Sequence, residues 1–183
     1  MKAFVANWFV ASAGLLSFAL LAGCSSGTKV KVVSAATAEQ RATTLDQVKA
    51  LEGTWVGKDE KGVEQVMAVF SVGSAGTSVR EIMFPGTPHE MTNMYHMDGG
   101  TLVMTHYCAA GNQPRLRSVK SAPGRIEMVA DSVTNFTKAD EYYMGRLTLV
   151  MPDKDTLIEE WASIKNGKEQ TEHLPKFEWK RKK

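Results

Sequence analysis

From Thr54 to the C-terminus the chain is written in short runs of alternating polarity, each closed by a turn signal. A period of two puts successive side chains on opposite faces of an extended strand, so such runs build sheets with one apolar face. Strands are expected near 54–58, 64–72, 77–84, 90–97, 101–108, 114–120, 125–131, 142–151, 156–164 and 170–181. Asp98-Gly99-Gly100 and Asn166-Gly167 supply residues that tolerate positive φ, as tight hairpins demand, and Pro152-Asp153-Lys154-Asp155 is a further turn. About ten meandering strands in roughly 130 residues favour an all-β fold, a closed antiparallel up-and-down β-barrel that leaves no sheet edge bare. A two-sheet sandwich is the second choice. One short helix is expected before the strands, at 45–51, where Leu45, Val48 and Leu51 form an apolar stripe. Thr44 and Gln47 have the spacing of a capping box, and Gly53 stands where such a helix can end.

The rest of the composition mostly excludes. With 183 residues and 43% hydrophobic content, the chain is an ordinary globular domain. A formal net charge of +2 is too small for a basic nucleic-acid-binding face. The tail of Lys176 and Lys180 to Lys183 reads as a solvated end. Two cysteines cannot build a disulfide framework or a four-cysteine zinc site. No P-loop, GxGxxG turn, GxSxG elbow or HExxH helix occurs.

The N-terminus reads MKAFVANWFVASAGLLSFALLAGC. Lys2 gives a positive start, and an uncharged, mostly apolar run follows from Ala3 to Ala22. That run approaches membrane-spanning length, so a retained anchor helix is the alternative. Its ending, Leu21-Ala22-Gly23-Cys24, resembles the lipobox of bacterial lipoprotein signal peptides, which are cut just before a cysteine that becomes lipidated. The resemblance implies removal of residues 1–23 and anchoring through acyl chains on Cys24, each buried CH₂ contributing about 0.8 kcal/mol. Ser25 after the cysteine, rather than an Asp, favours the periplasmic face of an outer membrane. Residues 24–43 are then a lipidated cysteine and flexible tether, and 44–183 the barrel domain. Lys29 to Val33 as a first strand is the competing reading.

Leu51-Glu52-Gly53-Thr54-Trp55 carries the Gly-x-Trp signature found where a short helix enters the first strand of lipocalins and related calycin barrels. The chain ends in Phe177-Glu178-Trp179-Lys180-Arg181, and in that superfamily a late Arg or Lys stacks over the first-strand Trp. The domain is also similar to uncharacterised bacterial lipocalin-like proteins at Met104-Thr105-His106-Tyr107-Cys108 and Gly111-Asn112-Gln113-Pro114-Arg115. The resemblance implies a calycin-like barrel with Gly53, Trp55 and Arg181 in structural roles. Arg181, or Lys180, would cover Trp55 in a cation–π contact that closes one end.

Side chains able to do chemistry concentrate between Pro88 and Arg117. If Asp98-Gly99-Gly100 is a three-residue loop, Met94 and His96 share a face with Met104, His106 and Cys108. Three readings compete. The thiol, thioethers and imidazoles could hold copper or haem, the latter through His89, His96 or His106. They could line a cavity for an amphipathic molecule, where flexible methionines adapt to ligand shape. Or they fill an ordinary core. His106 and Cys108 could pair as base and nucleophile, but no third orienting residue is evident, and a sheltered structural thiol is the simpler account. Arg115 could bind an anionic head group at the barrel mouth, or simply follow a turn. Glu159 and Trp161 share one strand face, and the adjacent Glu160 faces away.

The leading expectation is a non-enzymatic binding barrel tethered to the envelope. It would hold a small apolar or amphipathic ligand against Met94, His96, Met104, His106, Cys108 and Arg115. A filled barrel that packs against another envelope protein is the second reading, and a metal or haem site the third. The resident cofactor, if any, is left open.

Overall fold

The computed structural model describes residues 30–59, 61–138, 140–170, 172 and 175–183. Residues 1–23, expected to be a signal peptide, and Cys24 lie outside the described residues. Val30 to Val32 group with the N-terminal segment and have no regular secondary structure. The unit from Val33 to Lys183 holds the fold.

Two one-turn helices, α1 (Ala38–Ala42) and α2 (Leu45–Lys49), precede the strands. These are β1 (Gly53–Lys58), β2 (Glu64–Gly73), β3 (Ser78–Met83), β4 (Met91–Asp98), β5 (Thr101–Tyr107), β6 (Gln113–Ala122) and β7 (Arg125–Thr134). They continue with β8 (Tyr142–Asp153), β9 (Thr156–Lys165), β10 (Lys168–Glu169) and β11 (Lys176–Arg181). From β1 to β9 each strand pairs antiparallel with the next, β9 pairs with β11, and β11 returns to β1. Ten strands therefore close an up-and-down barrel, as the alternation requires. The strand expected over 170–181 is broken. β10 and β11 lie along the same edge of β9, at Ile164–Lys165 and Thr156–Glu160 respectively, and act as two pieces of one stave. Pro175, which has no N–H to give, stands just before β11 and only accepts, from the Trp161 N–H at 2.9 Å.

Curvature comes from extra residues that slip the register within β1–β2, β6–β7 and β8–β9. Gly145 sits at one of these slips, and a Cβ there would stand 2.1 Å from Cγ1 of Ile164. Only glycine lets the two strands approach that closely.

The inward residues of every strand are apolar over most of their length. Trp55, Phe70, Val79, Tyr95, Leu102, Met104, Leu116, Ile126, Met128, Leu147, Leu149, Leu157 and Trp179 join Leu45, Val48 and Leu51 of the helical segment in one core. The helices close the end of the barrel where β4–β5 and β6–β7 turn. Gln47 donates to the Ala122 carbonyl at 3.1 Å and accepts from the Gly124 N–H at 2.7 Å. That duty displaces the capping box expected at Thr44 and Gln47. Thr44 has no cap bond and turns its hydroxyl to the Gln40 carbonyl. The box lies one helix earlier, at Thr37 and Gln40. Residues 38–42, expected within a flexible tether, are thus helical, and Ala36 before them is buried.

The closing seam is short. Trp55 pairs with Arg181 and Val56 with Lys180. The Arg181 guanidinium lies 4.4 Å from the centroid of the Trp55 ring. Its Nη1 donates to the Glu52 carbonyl at 2.7 Å, Nη2 to Ala50 at 2.8 Å and Nε to Lys154 at 2.9 Å. One side chain thus ties the end of α2 and the β8–β9 turn to the seam. It also satisfies carbonyls that a helix end leaves open. Gly53 makes room for this. It has a φ of +126°, closed to other L-residues, and a Cβ there would sit 3.3 Å from Arg181 Nη1. Lys180 instead reaches the Thr156 hydroxyl.

A lysine at 181 keeps the charge but cannot span three carbonyls. Arg181→Lys is expected to lower unfolding free energy by about 2 kcal/mol in urea denaturation. A loss below about 0.5 kcal/mol would show that the seam holds without the clamp.

Candidate functional site

Four strands carry a polar residue at a position whose neighbours two away are apolar and inward. They are Glu81 between Val79 and Met83, Asn93 between Met91 and Tyr95, His106 after Met104, and Glu159 between Leu157 and Trp161. Register sets three at one level, since Glu81 pairs with Asn93 and Asn93 with His106. All four are buried.

Three of them, with Tyr95, form one hydrogen-bonded chain, and Glu159 is bonded beside it to Trp161. Asn93 Nδ2 and the Tyr95 hydroxyl both donate to Glu81 Oε2, each at 2.8 Å. His106 Nδ1 lies 2.6 Å from Asn93 Oδ1. Trp161 Nε1 donates to Glu159 Oε2 at 2.9 Å. The two buried carboxyl groups lie close enough to act on each other, and their Oε1 atoms are left without a hydrogen-bond partner. Two ionised carboxylates buried side by side would repel each other, so one of them holds a proton. It belongs to Glu159. Burial, and then the facing Glu81, hold that carboxyl well above the ordinary carboxylate range. Burial raises Glu81 too, but donation from Asn93, Glu159 and Tyr95 works in the opposite direction. Tyr95 is pushed well above its ordinary value by burial and the adjacent carboxyls, so it remains a donor. Burial lowers His106 to about 4, leaving its ring neutral near neutral pH.

His106 also borders a cavity of about 440 Å³. Met83, Met91, Met144, Trp161 and Phe177 supply most of its apolar wall. Cys108 to Ala110, Tyr142, Ser163 and Pro175 complete it, with exposed His89. These residues come from the ends of strands remote from the helices, so the cavity occupies the open mouth of the barrel. The His106 and Trp161 rings lie 4.9 Å apart between centroids, tilted by 45°. Behind Phe177, Phe84 and Trp179 pack around it at 5.3 and 5.7 Å. Phe84 is held at a φ of 51°, unusual for so bulky a residue, by its place in this cluster and by its N–H bond to the Met67 carbonyl at 2.7 Å. Asn112 steadies the β5–β6 loop by donating to the Tyr142 carbonyl at 2.9 Å.

Of the six residues expected at a ligand, only His106 and Cys108 border this cavity. Met94 and His96 point outward, with His96 exposed. The reason is the β4–β5 hairpin. Asp98 pairs with Thr101 across a two-residue Gly99-Gly100 turn, not the three-residue loop expected. One residue of register exchanges the faces, so Tyr95 opposes Met104 and Asn93 opposes His106. The expected His/Met/Cys cluster is therefore divided between the two sides of the wall. Met104 is fully buried core. Arg115 is not at the mouth; it lies on the outer surface of β6, bonded to Asp131 and, at 2.8 Å, to Asp98. The Cys108 thiol is half-buried, and burial pushes it up, so it is not a poised nucleophile. Among the described residues, no three His, Cys, Asp or Glu side chains converge to hold a metal ion.

Glu81, Asn93 and Tyr95 are the members that sequence reasoning missed. The signal was there in Val79-x-Glu81-x-Met83, an acid in the apolar phase of a strand. No protein-family model matches the chain, and no curated protein matches it.

The proton on Glu159 has a measurable consequence. A carboxyl raised above its unfolded value stabilises fully below its ordinary value of 4.5 and loses that contribution as pH rises through its folded pKa. In Glu159→Gln an amide takes the place of the protonated carboxyl, donating to Glu81 and accepting from Trp161. The stability of the variant relative to wild type is expected to grow from about pH 5 upward, by as much as about 1.4 kcal/mol per pH unit until Glu159 ionises. His106 titrates alike in both proteins and cancels. Urea denaturation at a series of pH values checks it, and parallel curves would remove the proton from Glu159.

Proposed function

We propose that the protein is an envelope lipoprotein, held to the membrane by acyl chains on Cys24, whose barrel binds a small apolar or amphipathic molecule in its mouth. The observation that carries the binding half is the 440 Å³ cavity with a mostly apolar wall and His106 as its buried polar contact. That volume falls within the range typical of small-molecule sites, and a few polar groups in an apolar wall are how such sites orient a ligand. Three methionines in the wall suit a ligand of variable shape. The filled-barrel reading fits the helix end, where the core is continuous, but not the mouth. The anchoring half rests on the lipobox-like sequence before Cys24.

Each half has its own test. Native mass spectrometry of the full chain, extracted in mild detergent, is expected to show a mass excess that vanishes on denaturation. Met144→Trp, which fills the cavity from its wall, is expected to abolish the excess with near-ultraviolet circular dichroism unchanged. An excess that persists in a folded Met144→Trp protein would place the ligand elsewhere. For the anchor, wild type expressed with labelled palmitate is expected to carry label and fractionate with membranes. Cys24→Ser is expected to lose the label, and equal labelling of both would remove Cys24 from the proposal.

A further inference from the structure

The chain of bonds behind His106 decides what its ring can offer a ligand. Asn93 has one donating and one accepting end, and Nδ2 is committed to Glu81 Oε2 at 2.8 Å. Reversing the amide would set its oxygen against a carboxylate oxygen that already accepts from Tyr95. Oδ1 therefore faces His106, and a contact of 2.6 Å between it and Nδ1 requires the ring proton to be on Nδ1. A neutral ring with Nδ1–H has a bare lone pair on Nε2. Among the described residues no hydrogen bond reaches Nε2. His106 is only 1% exposed and borders the cavity, whereas Asn93, on its Nδ1 side, does not. The edge that carries Nε2 is the one left to face the ligand.

Resting on the reading of the mouth as a ligand site, we propose that its ligand is an uncharged molecule that donates a hydrogen bond, from a hydroxyl or N–H on an otherwise apolar body, to Nε2 of His106. A carboxylate has nothing to donate, and the ring has no second proton to give it. Among the described residues no Lys or Arg borders the cavity, and the one other imidazole there, His89, is exposed. Low pKa and geometry agree, since burial keeps the ring from taking the proton that would reverse its role.

The test uses the full chain in detergent micelles, with its histidines labelled with ¹⁵N. Long-range ¹H–¹⁵N correlation is expected to show His106 protonated at Nδ1 and bare at Nε2. Three probes share one tail: octanol, octyl methyl ether and octanoate at pH 7.5, with affinities expressed against ligand free of the micelle. Octanol is expected to bind about tenfold more tightly than either of the others, the worth of one buried hydrogen bond. His106→Phe is expected to bring octanol and the ether to equal affinity. The wild-type comparison decides by itself if that variant does not fold. A proton on Nε2, or ether or octanoate binding as tightly as octanol, would overturn the donor requirement and leave the ligand site standing. If none of the three binds, the reading of the mouth as a ligand site falls, and this inference with it.

Discussion

The barrel exists because its first strand finds its last, and one arginine secures that meeting. A sheet of ten strands left open would expose two edges, each a row of unpaired backbone groups. Here β1 and β11 meet over only two register pairs. The weakness of so short a ladder is offset by Arg181, which stacks on Trp55 and donates to three carbonyls from two other parts of the chain. Trp55 is itself fixed from inside, its Nε1 donating to the Leu51 carbonyl at 2.8 Å. Helix end, first strand and last strand are thereby one unit.

Closure creates an interior with two characters. Towards the helices it is packed with Trp55, Phe70, Leu102, Ile126 and Leu149, as dense cores require. Towards the mouth it carries a polar layer, in which Glu81, Asn93, Tyr95 and His106 are bonded in a chain and Glu159 is bonded to Trp161 beside them. Such groups are costly to bury unless paired, and partial pairing is worse than none. The layer lowers that cost by keeping one of its two acids, Glu159 of β9, protonated beside Glu81 of β3. Its last member borders the mouth cavity.

How much of this was legible follows from what each residue type can signal locally. The alternation from Thr54 onward specified the strands closely, because half-buried strands leave a period of two and glycine or asparagine marks their turns. Gly53, Trp55 and Arg181 were legible as a set at the barrel's end. The faces in β4 and β5 were not, because Asp98-Gly99-Gly100 is compatible with a two- or a three-residue turn, and one residue of register inverts the wall. Glu81 went unread because an acid in a strand is ordinarily taken to face water. Its burial makes sense only with Glu159 nearby, and that juxtaposition belongs to ring closure, not to any local run. Glu160, the neighbour of Glu159, turns outward towards Lys176.

Arg181 and the Glu52 carbonyl that it holds are 129 residues apart in the chain. Contacts so distant in sequence are slow to form, since the entropy of closing the intervening loop must be lost before they stabilise anything. The ring can be completed only after nearly the whole chain has emerged from the ribosome. Until then β1 and β9 are free edges, and the acids of β3 and β9 stay in water, where nothing keeps a proton on either. A polypeptide stopped a few residues short of Arg181 is accordingly not a slightly smaller barrel but an open, sticky sheet.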